Sequence, residues 1–320
     1  MIVRWGLAEL DGLLKELGLE RPLLVTSARF AELDIPVTDR FVGVRRHAPL
    51  DVVADATEAA AHADGIVAVG GGSAIDTAKA VSAATKLPAV AVPTTYSGSE
   101  ATAIWGMSEG ERKFTGKDAR VLPRTIVYDP DLTLGLPAAV SAASAMNAIA
   151  HCVEGLWVSD RTPFLAALAT DAARRFAVHL PRVIADGSDR DARAECLIAA
   201  WLAGTVLTAG TALQHKLAHV LGGLGLPHAE THAIILPHVT RFNLAAAPEA
   251  HARLAEALSG DPATRLALML RGFPIPRRLA EVGFDRAKVD FVADEVAAMS
   301  INAPRKVSAD DVRAVLAAAY

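Results

Sequence analysis

Short apolar runs alternate with amphipathic stretches up to residue 135. Residues 22–26 (PLLVT), 41–44 (FVGV), 65–69 (GIVAV), 89–92 (AVAV) and 125–128 (TIVY) are short, rich in β-branched side chains and almost free of charge. They predict buried strands. Residues 51–63 and 73–85 carry apolar positions at helical spacing and predict helices. Strand–helix alternation predicts a parallel, doubly wound sheet with crossover helices. From about Leu136 the pattern changes: Pro137 suits the first turn of a helix, and nearly all that follows is helical in period. The boundary is expected near Asp131–Pro137, with an α/β domain over 1–135 and an all-helical domain over 136–320.

Composition narrows the function classes. Over 320 residues the apolar share is 52% and the charged share 21%, as in an ordinary globular protein. A net charge of −4 and the absence of a basic tract argue against a nucleic-acid partner. No apolar stretch predicts a membrane span, and the N-terminus does not read as a signal peptide. Cys152 and Cys196 are isolated, which fits a reducing cytoplasm.

Residues 65–79 (GIVAVGGGSAIDTAK) run a buried strand through Gly70, Gly71 and Gly72 into a helix opened by Ser73. This geometry suits a pyrophosphate: glycines admit close approach, and the free N–H groups and dipole of the helix N-terminus face the anion. Ser73 either caps the helix or donates to phosphate, and Asp76 sits one turn in. The loop is neither a P-loop nor GxGxxG, so it is also consistent with a plain tight turn. A second loop offers the hydroxyls of Thr94, Thr95, Ser97 and Ser99 to a cofactor phosphate or ribose.

The densest chemistry lies in residues 214–237, QHKLAHVLGGLGLPHAETHAIILP. His215 and His219 are four apart, as are His228 and His232, so on helices each pair shares a face. Gly222, Gly223 and Gly225 allow a reversal between them. Asn147 and His151 repeat the spacing upstream. Convergent imidazoles either bind a metal or carry protons. His62, His179 and His251 read as structural or exposed, and His232 or His238 as orienting a neighbour. Trp105 and Phe242 read as packing.

GGGSAIDTAK, PTTYSGSE, DPDLTLGLP, MNAIAHCVE and HKLAHVLGG followed by PHAETHAIILPH occur in an order and spacing that resemble the iron-containing (group III) alcohol dehydrogenase superfamily. IWG (104–106) and KFTGKDARVLPRTIVYDP (113–130) resemble its maleylacetate reductase branch. The resemblance covers nearly the whole chain. It implies a Rossmann-like NAD(P)-binding domain followed by an all-α catalytic domain, the architecture shared with dehydroquinate synthase. It also implies NADH- or NADPH-dependent reduction of the double bond of 2-maleylacetate, a small dicarboxylate, to 3-oxoadipate in aromatic-compound breakdown, by a cytoplasmic homodimer.

Metal-dependent members hold their ion with one Asp and three His. The matching positions here are Asn147, His151, His215 and His228. A neutral amide in place of the carboxylate leads to the expectation of no metal. Hydride addition to a conjugated ketone builds charge on the carbonyl oxygen and then requires a proton at the α carbon. His151, His215, His219 and His228 are the candidates for both tasks. Lys113, Lys117 and Arg124 are candidates for the substrate carboxylates. Ser27 stands where NAD-specific relatives often have Asp, with Arg29 nearby, so both cofactors are expected to serve. Relatives also have a strand before the first βα unit; its place is expected to be trimmed or filled by a partner subunit. Three other readings are a metal-dependent carbonyl reductase using His151, His215 and His228, a lyase on the dehydroquinate synthase scaffold, and a non-catalytic binding protein that retains the cofactor fold, which the intact histidine cluster argues against.

Overall fold

The computed structural model describes residues 2–109 and 112–320, without side chains at 112 and 113. The chain divides into two compact units, Met1–Gly135 and Leu136–Tyr320.

The first unit is built on strands β1 (Ile2–Trp5), β2 (Pro22–Thr26), β3 (Asp39–Phe41), β4 (Gly65–Gly70) and β5 (Ala89–Pro93), the hairpin β6 (Ile104–Glu109) and β7 (Arg112–Lys117), and β8 (Thr125–Tyr128). Its main helices are α1 (Leu10–Glu16), α2 (Leu50–Ala59) and α3 (Gly72–Thr85). The sheet has the order β1-β8-β5-β4-β2-β3 and is parallel throughout. Strands β2, β4, β5 and β8 are buried along their whole length. That is why their sequences are continuous rather than alternating: both faces are covered. One core cluster sets Leu10, Leu13 and Leu14 of α1 against Leu24, Val67, Val69, Val90, Val92 and Val127 of the sheet.

Three features depart from the sequence reading. The sheet edge expected to be trimmed or filled by a partner is occupied by β1, whose register on β8 runs from Ile2↔Thr125 to Trp5↔Tyr128. The strand expected over 41–44 is displaced to Asp39–Phe41. Gly43 carries no side chain to sustain a strand, and the Phe41 ring covers it: a Cβ there would lie 2.8 Å from Phe41 Cζ. The β6–β7 hairpin is also additional to the predicted elements. It is antiparallel from Ile104↔Lys117 to Glu109↔Arg112. The Trp105 indole lies on Gly116, where a Cβ would meet the ring at 2.3 Å.

In the second unit the chain folds into α4 (Ala138–Gly155), α5 (Pro163–Ala185), α6 (Arg190–Val206), α7 (Leu213–Gly223), α8 (His228–Leu244), α9 (Pro248–Leu258), α10 (Pro262–Gly272), α11 (Val289–Ala297) and α12 (Ala309–Ala319). Helix α4 is buried continuously from Ser141 to Gly155, and its five alanines among the residues 141–155 keep it slim enough to be surrounded. Gly155 permits the closest crossing: a Cβ there would lie 2.1 Å from Val206 Cγ1 at the end of α6. Leu213, Leu217 and Leu221 of α7 pack with Ile234, Ile235 and Val239 of α8 and with Val312 and Leu316 of α12. These contacts fix the rotation of α7 against α8, which carry four of the histidines.

Candidate active site

In the first unit, register brings the predicted cofactor residues to one edge. Thr26 pairs with Val69 and Gly70 with Pro93, so the loops opened by Ser27, Gly71 and Thr94 leave the carboxyl ends of three adjacent strands. Strand order reverses between β2 and β4, and an open α/β sheet binds its ligand at such a switch point. Gly70 has φ +151°, outside the range of ordinary side chains, and a Cβ on it would lie 2.7 Å from Ala74 Cβ. Gly71 lets the second loop approach: a Cβ there would meet Thr95 Cγ2 at 2.8 Å. Ser73 Oγ accepts from the backbone N–H of His47 at 3.1 Å. Thr94 is buried, with its N–H on Gly70 O at 2.9 Å.

Asp76 and Ser99 bond to each other. Ser99 Oγ donates to Asp76 Oδ1 at 2.7 Å, and the Gly106 N–H approaches Oδ2 at 3.3 Å. Behind them is a residue that sequence reasoning missed. Lys79 is fully buried, and its ammonium donates to the carbonyls of Ser99 (2.5 Å) and Ile104 (2.7 Å) and to the hydroxyls of Thr102 (3.2 Å) and Ser99 (3.3 Å). Burial pulls its pKa down to about 8 against the attraction of Asp76 and Glu100. Burial likewise raises Asp76 and Glu100. Tyr128 Oη donates to Glu100 Oε1 at 2.9 Å. This network ties α3 to the second loop and the hairpin.

Among the predicted substrate cations, the side chain of Lys113 lies outside the described residues. Lys117, at the end of β7, and Arg124, just before β8, are exposed. Arg29 lies over the Phe30 ring at 5.3 Å.

In the second unit the histidines converge. Helix α7 carries His215 and His219, and α8 carries His228 and His232; Gly225, with φ +87°, turns the chain between them. His215 is the hub. Its ring centroid lies 5.0 Å from that of His151, 6.4 Å from His219 and 4.6 Å from His232. His228 lies 4.6 Å from His232 and 5.9 Å from His219. His151, His215 and His232 are buried, whereas His219 is exposed. Burial, and then the neighbouring imidazole of His215, holds His151 well below the usual histidine range. His232 is lowered in the same direction by burial first and then by the surrounding histidines. Asn147 Oδ1, His151 Nδ1, His215 Nε2 and His232 Nε2 are buried without a hydrogen-bond partner.

Two partners of this cluster were not singled out in the sequence. Glu154, one turn beyond His151, accepts from His215 Nδ1 at 2.5 Å. Gln214 bonds His232. The remaining histidines lie elsewhere. His62 is exposed, His179 is 3.9 Å from Glu195, and His251 is 3.8 Å from Asp261. His238 is lowered by burial and then by Arg241.

The family described as iron-containing alcohol dehydrogenase matches residues 4–130, and its C-terminal counterpart matches residues 141–320. The chain belongs to the iron-containing alcohol dehydrogenase family. Maleylacetate reductase 1 of Cupriavidus pinatubonensis (strain JMP 134 / LMG 1197) is 42% identical over 317 residues, 95% of this chain and 90% of that protein. The crystal structure of maleylacetate reductase from Agrobacterium tumefaciens superposes with a TM-score of 0.95 at 35% identity, covering 100% of this chain and 95% of that one. The enzyme of the same name from Rhizobium sp. strain MTP-10005 gives 0.94 at 36%, again covering 100% and 95%. The chain is an oxidoreductase with the group III alcohol dehydrogenase fold.

This membership corrects the expectation of no metal. The family implies iron in addition to a nicotinamide cofactor. The expectation rested on the neutral Asn147, on the reductase resemblance and on a conjugated ketone that is already activated, but imidazoles suit iron and zinc without a carboxylate. The donors fit in kind, since His215 Nε2 and His151 Nδ1 are buried nitrogens without hydrogen-bond partners. Among the described residues no three His, Cys, Asp or Glu side chains converge as a ready metal cage. Ligation would therefore require the side chains to close in.

Proposed function

We propose that the chain is a maleylacetate reductase, using NADH or NADPH to reduce the carbon–carbon double bond of 2-maleylacetate to 3-oxoadipate. The observation that carries this reading is 42% identity to such an enzyme along 95% of the chain. The imidazoles gathered around His215 support it chemically.

In this reading the N–H groups of Gly71, Gly72 and Ser73 and the N-terminus of α3 hold the pyrophosphate. Gly70 shapes the turn, and the hydroxyls of Thr94, Thr95 and Ser97 serve a phosphate or ribose. Asp76 and Ser99 brace the loops. A nicotinamide cofactor held there would supply hydride, a proton with two electrons, for the alkene carbon β to the ketone. The electron pair of the double bond moves toward the carbonyl oxygen, and imidazole N–H groups of the cluster stabilise the charge there. A proton from the cluster then reaches the α carbon. His151, His219 and His228 share these tasks, with Asn147 beside them, while His215 at the hub offers a nitrogen lone pair to a neighbouring imidazole N–H or to an ion. An ion held by His151, His215 and His228, with Asn147 Oδ1 as a neutral further donor, would polarise the same carbonyl. Lys113, Lys117 and Arg124 attract the two carboxylates. Two buried free thiols, Cys152 and Cys196, fit a reducing cytoplasm, and the reading includes a homodimer.

The test is oxidation of NADH and NADPH by 2-maleylacetate before and after EDTA, with the metal content measured and the product identified by mass. Turnover with either cofactor to 3-oxoadipate supports the reading, and no oxidation with either, with iron or zinc restored, rejects it. Loss on chelation with recovery on metal return, together with faster turnover of simple aldehydes, would favour a metal-dependent carbonyl reductase. Ser27→Asp should weaken NADPH use selectively, because a carboxylate beside the ribose repels a 2′-phosphate. Equal effects on both cofactors would remove Ser27 from the ribose site.

A further inference from the structure

Asn147, His151 and Glu154 follow one another at spacings of four and three along one face of α4. The carboxylate absent at 147 is thus present two turns on. Glu154 is fully buried, and three N–H groups converge on its two oxygens. Oε1 accepts from Gln214 N at 2.6 Å, while Oε2 accepts from Ala212 N at 2.9 Å and faces His215 Nδ1 at 2.5 Å. Ala212 and Gln214 bracket the start of α7, so Glu154 caps that helix from outside. Capping alone requires no imidazole, yet the contact with His215 is the shortest of the three.

The ring orientation has a chemical consequence. Oε2 already accepts a backbone N–H, so Nδ1 of His215 is the donor in their contact. In a neutral imidazole with Nδ1 protonated, Nε2 carries the lone pair. His215 Nε2 is buried without a hydrogen-bond partner, and its ring is the hub of the cluster. We propose that Glu154 is a positioning residue that fixes the tautomer of His215, so that the cluster's central imidazole presents a bare Nε2. This distinguishes His215 from His232, whose Nδ1 accepts from Gln214 and whose own hydrogen is therefore on Nε2. The proposal rests on the histidine cluster being the active site.

The experiment is 15N NMR of the full-length, chelator-treated protein labelled at histidine, with the His215 signals assigned by their loss in His215→Gln. Wild type should show His215 protonated at Nδ1 and bare at Nε2 near neutral pH. A His215 protonated at Nε2 overturns the proposal, whether Nδ1 is bare or protonated, and this result needs no Glu154 variant. Glu154→Gln can turn its amide NH2 toward Nδ1, which should invert the tautomer. Its kcat with 2-maleylacetate should fall about 10- to 100-fold, the usual scale for losing the partner that orients a site histidine. KM for NADH should stay within about twofold on the same reasoning, since the cofactor loops are untouched. An unchanged tautomer in Glu154→Gln, or an inverted tautomer with wild-type kcat, also rejects the positioning role. If wild type shows the stated tautomer but never reduces 2-maleylacetate, the functional reading fails and the tautomer assignment stands.

Discussion

Gln214 Nε2 lies 3.0 Å from the carbonyl oxygen of His232 and 3.2 Å from Nδ1 of the same residue's ring. A carbonyl can only accept, so the amide nitrogen must face it, and His232 Nδ1 must accept as well. One side chain thereby sets both the backbone and the ring of its neighbour. Gln214→Met keeps the volume and removes both bonds. It should destabilise the protein by about 1–3 kcal/mol, the cost of buried acceptors left without donors. Urea unfolding checks the stability, and turnover should fall with it because His232 loses its fixed ring.

The lowered pKa of His232 makes stability depend on pH. In the unfolded chain His232 takes a proton near pH 6.5. In the folded protein it stays neutral to lower pH, because burial penalises the charge. The unfolded state therefore binds more protons as pH falls through 6.5, and stability drops with acidification. The contribution approaches about 1.4 kcal/mol per pH unit below the unfolded pKa. His232→Leu should flatten the curve between pH 6.5 and 5 by that slope in chelator-treated protein. An unchanged slope would place the acid sensitivity elsewhere.

Gly71 and Thr95 should behave as a coupled pair. A Cβ at position 71 would sit 2.8 Å from Thr95 Cγ2 and 3.1 Å from Oγ1. Gly71→Ala should therefore push the two loops apart and raise the Kd for NADH. Thr95→Ala removes both contacting atoms, so the double variant should bind like Thr95→Ala alone. A double-mutant cycle by calorimetry measures the coupling, and additive losses would show that residue 71 acts on the cofactor directly.

Lys79→Met should be costly despite similar shape. It strips donors from the Ser99 and Ile104 carbonyls and leaves Asp76 without its cation. Each buried carbonyl left without its donor costs about 1–3 kcal/mol. Thermal unfolding checks the loss, and weaker NADH binding should accompany it because Ser99 anchors the second loop.

The fold class was legible because the signals were long and mutually consistent. Apolar runs at 22–26, 65–69, 89–92 and 125–128 can only be central parallel strands, and they are. The glycines after β4 and the paired histidines were visible as spacing. Glu154, Gln214 and Lys79 were not, because each works through a partner distant in sequence. Glu154 and His215 are 61 positions apart, and no local pattern encodes that meeting. A charged residue inside an otherwise apolar helical stretch was the available signal for both Glu154 and Lys79. The β6–β7 hairpin had a weak signal too, a Gly-containing pair of residues between two short strand-forming runs. IWG was read for its family resemblance rather than for its local conformation. The metal expectation failed for a different reason: it judged a set of donors by its weakest member.

Strand β1 imposes an order on synthesis. Its register runs along β8, so residues 2–5 leave the ribosome well before their partners and have no sheet neighbour until residues 125–128 follow. At about 5–20 residues per second that wait is on the order of 6–25 s. Strands β2, β4 and β5 reach their neighbours sooner and can assemble the centre of the sheet meanwhile. Trp5 closes the edge by laying its indole on Tyr128, with ring centroids 5.3 Å apart. Its fluorescence is therefore a built-in clock for the last step of assembly in the first unit, set by the pace of translation rather than by the chain's own search.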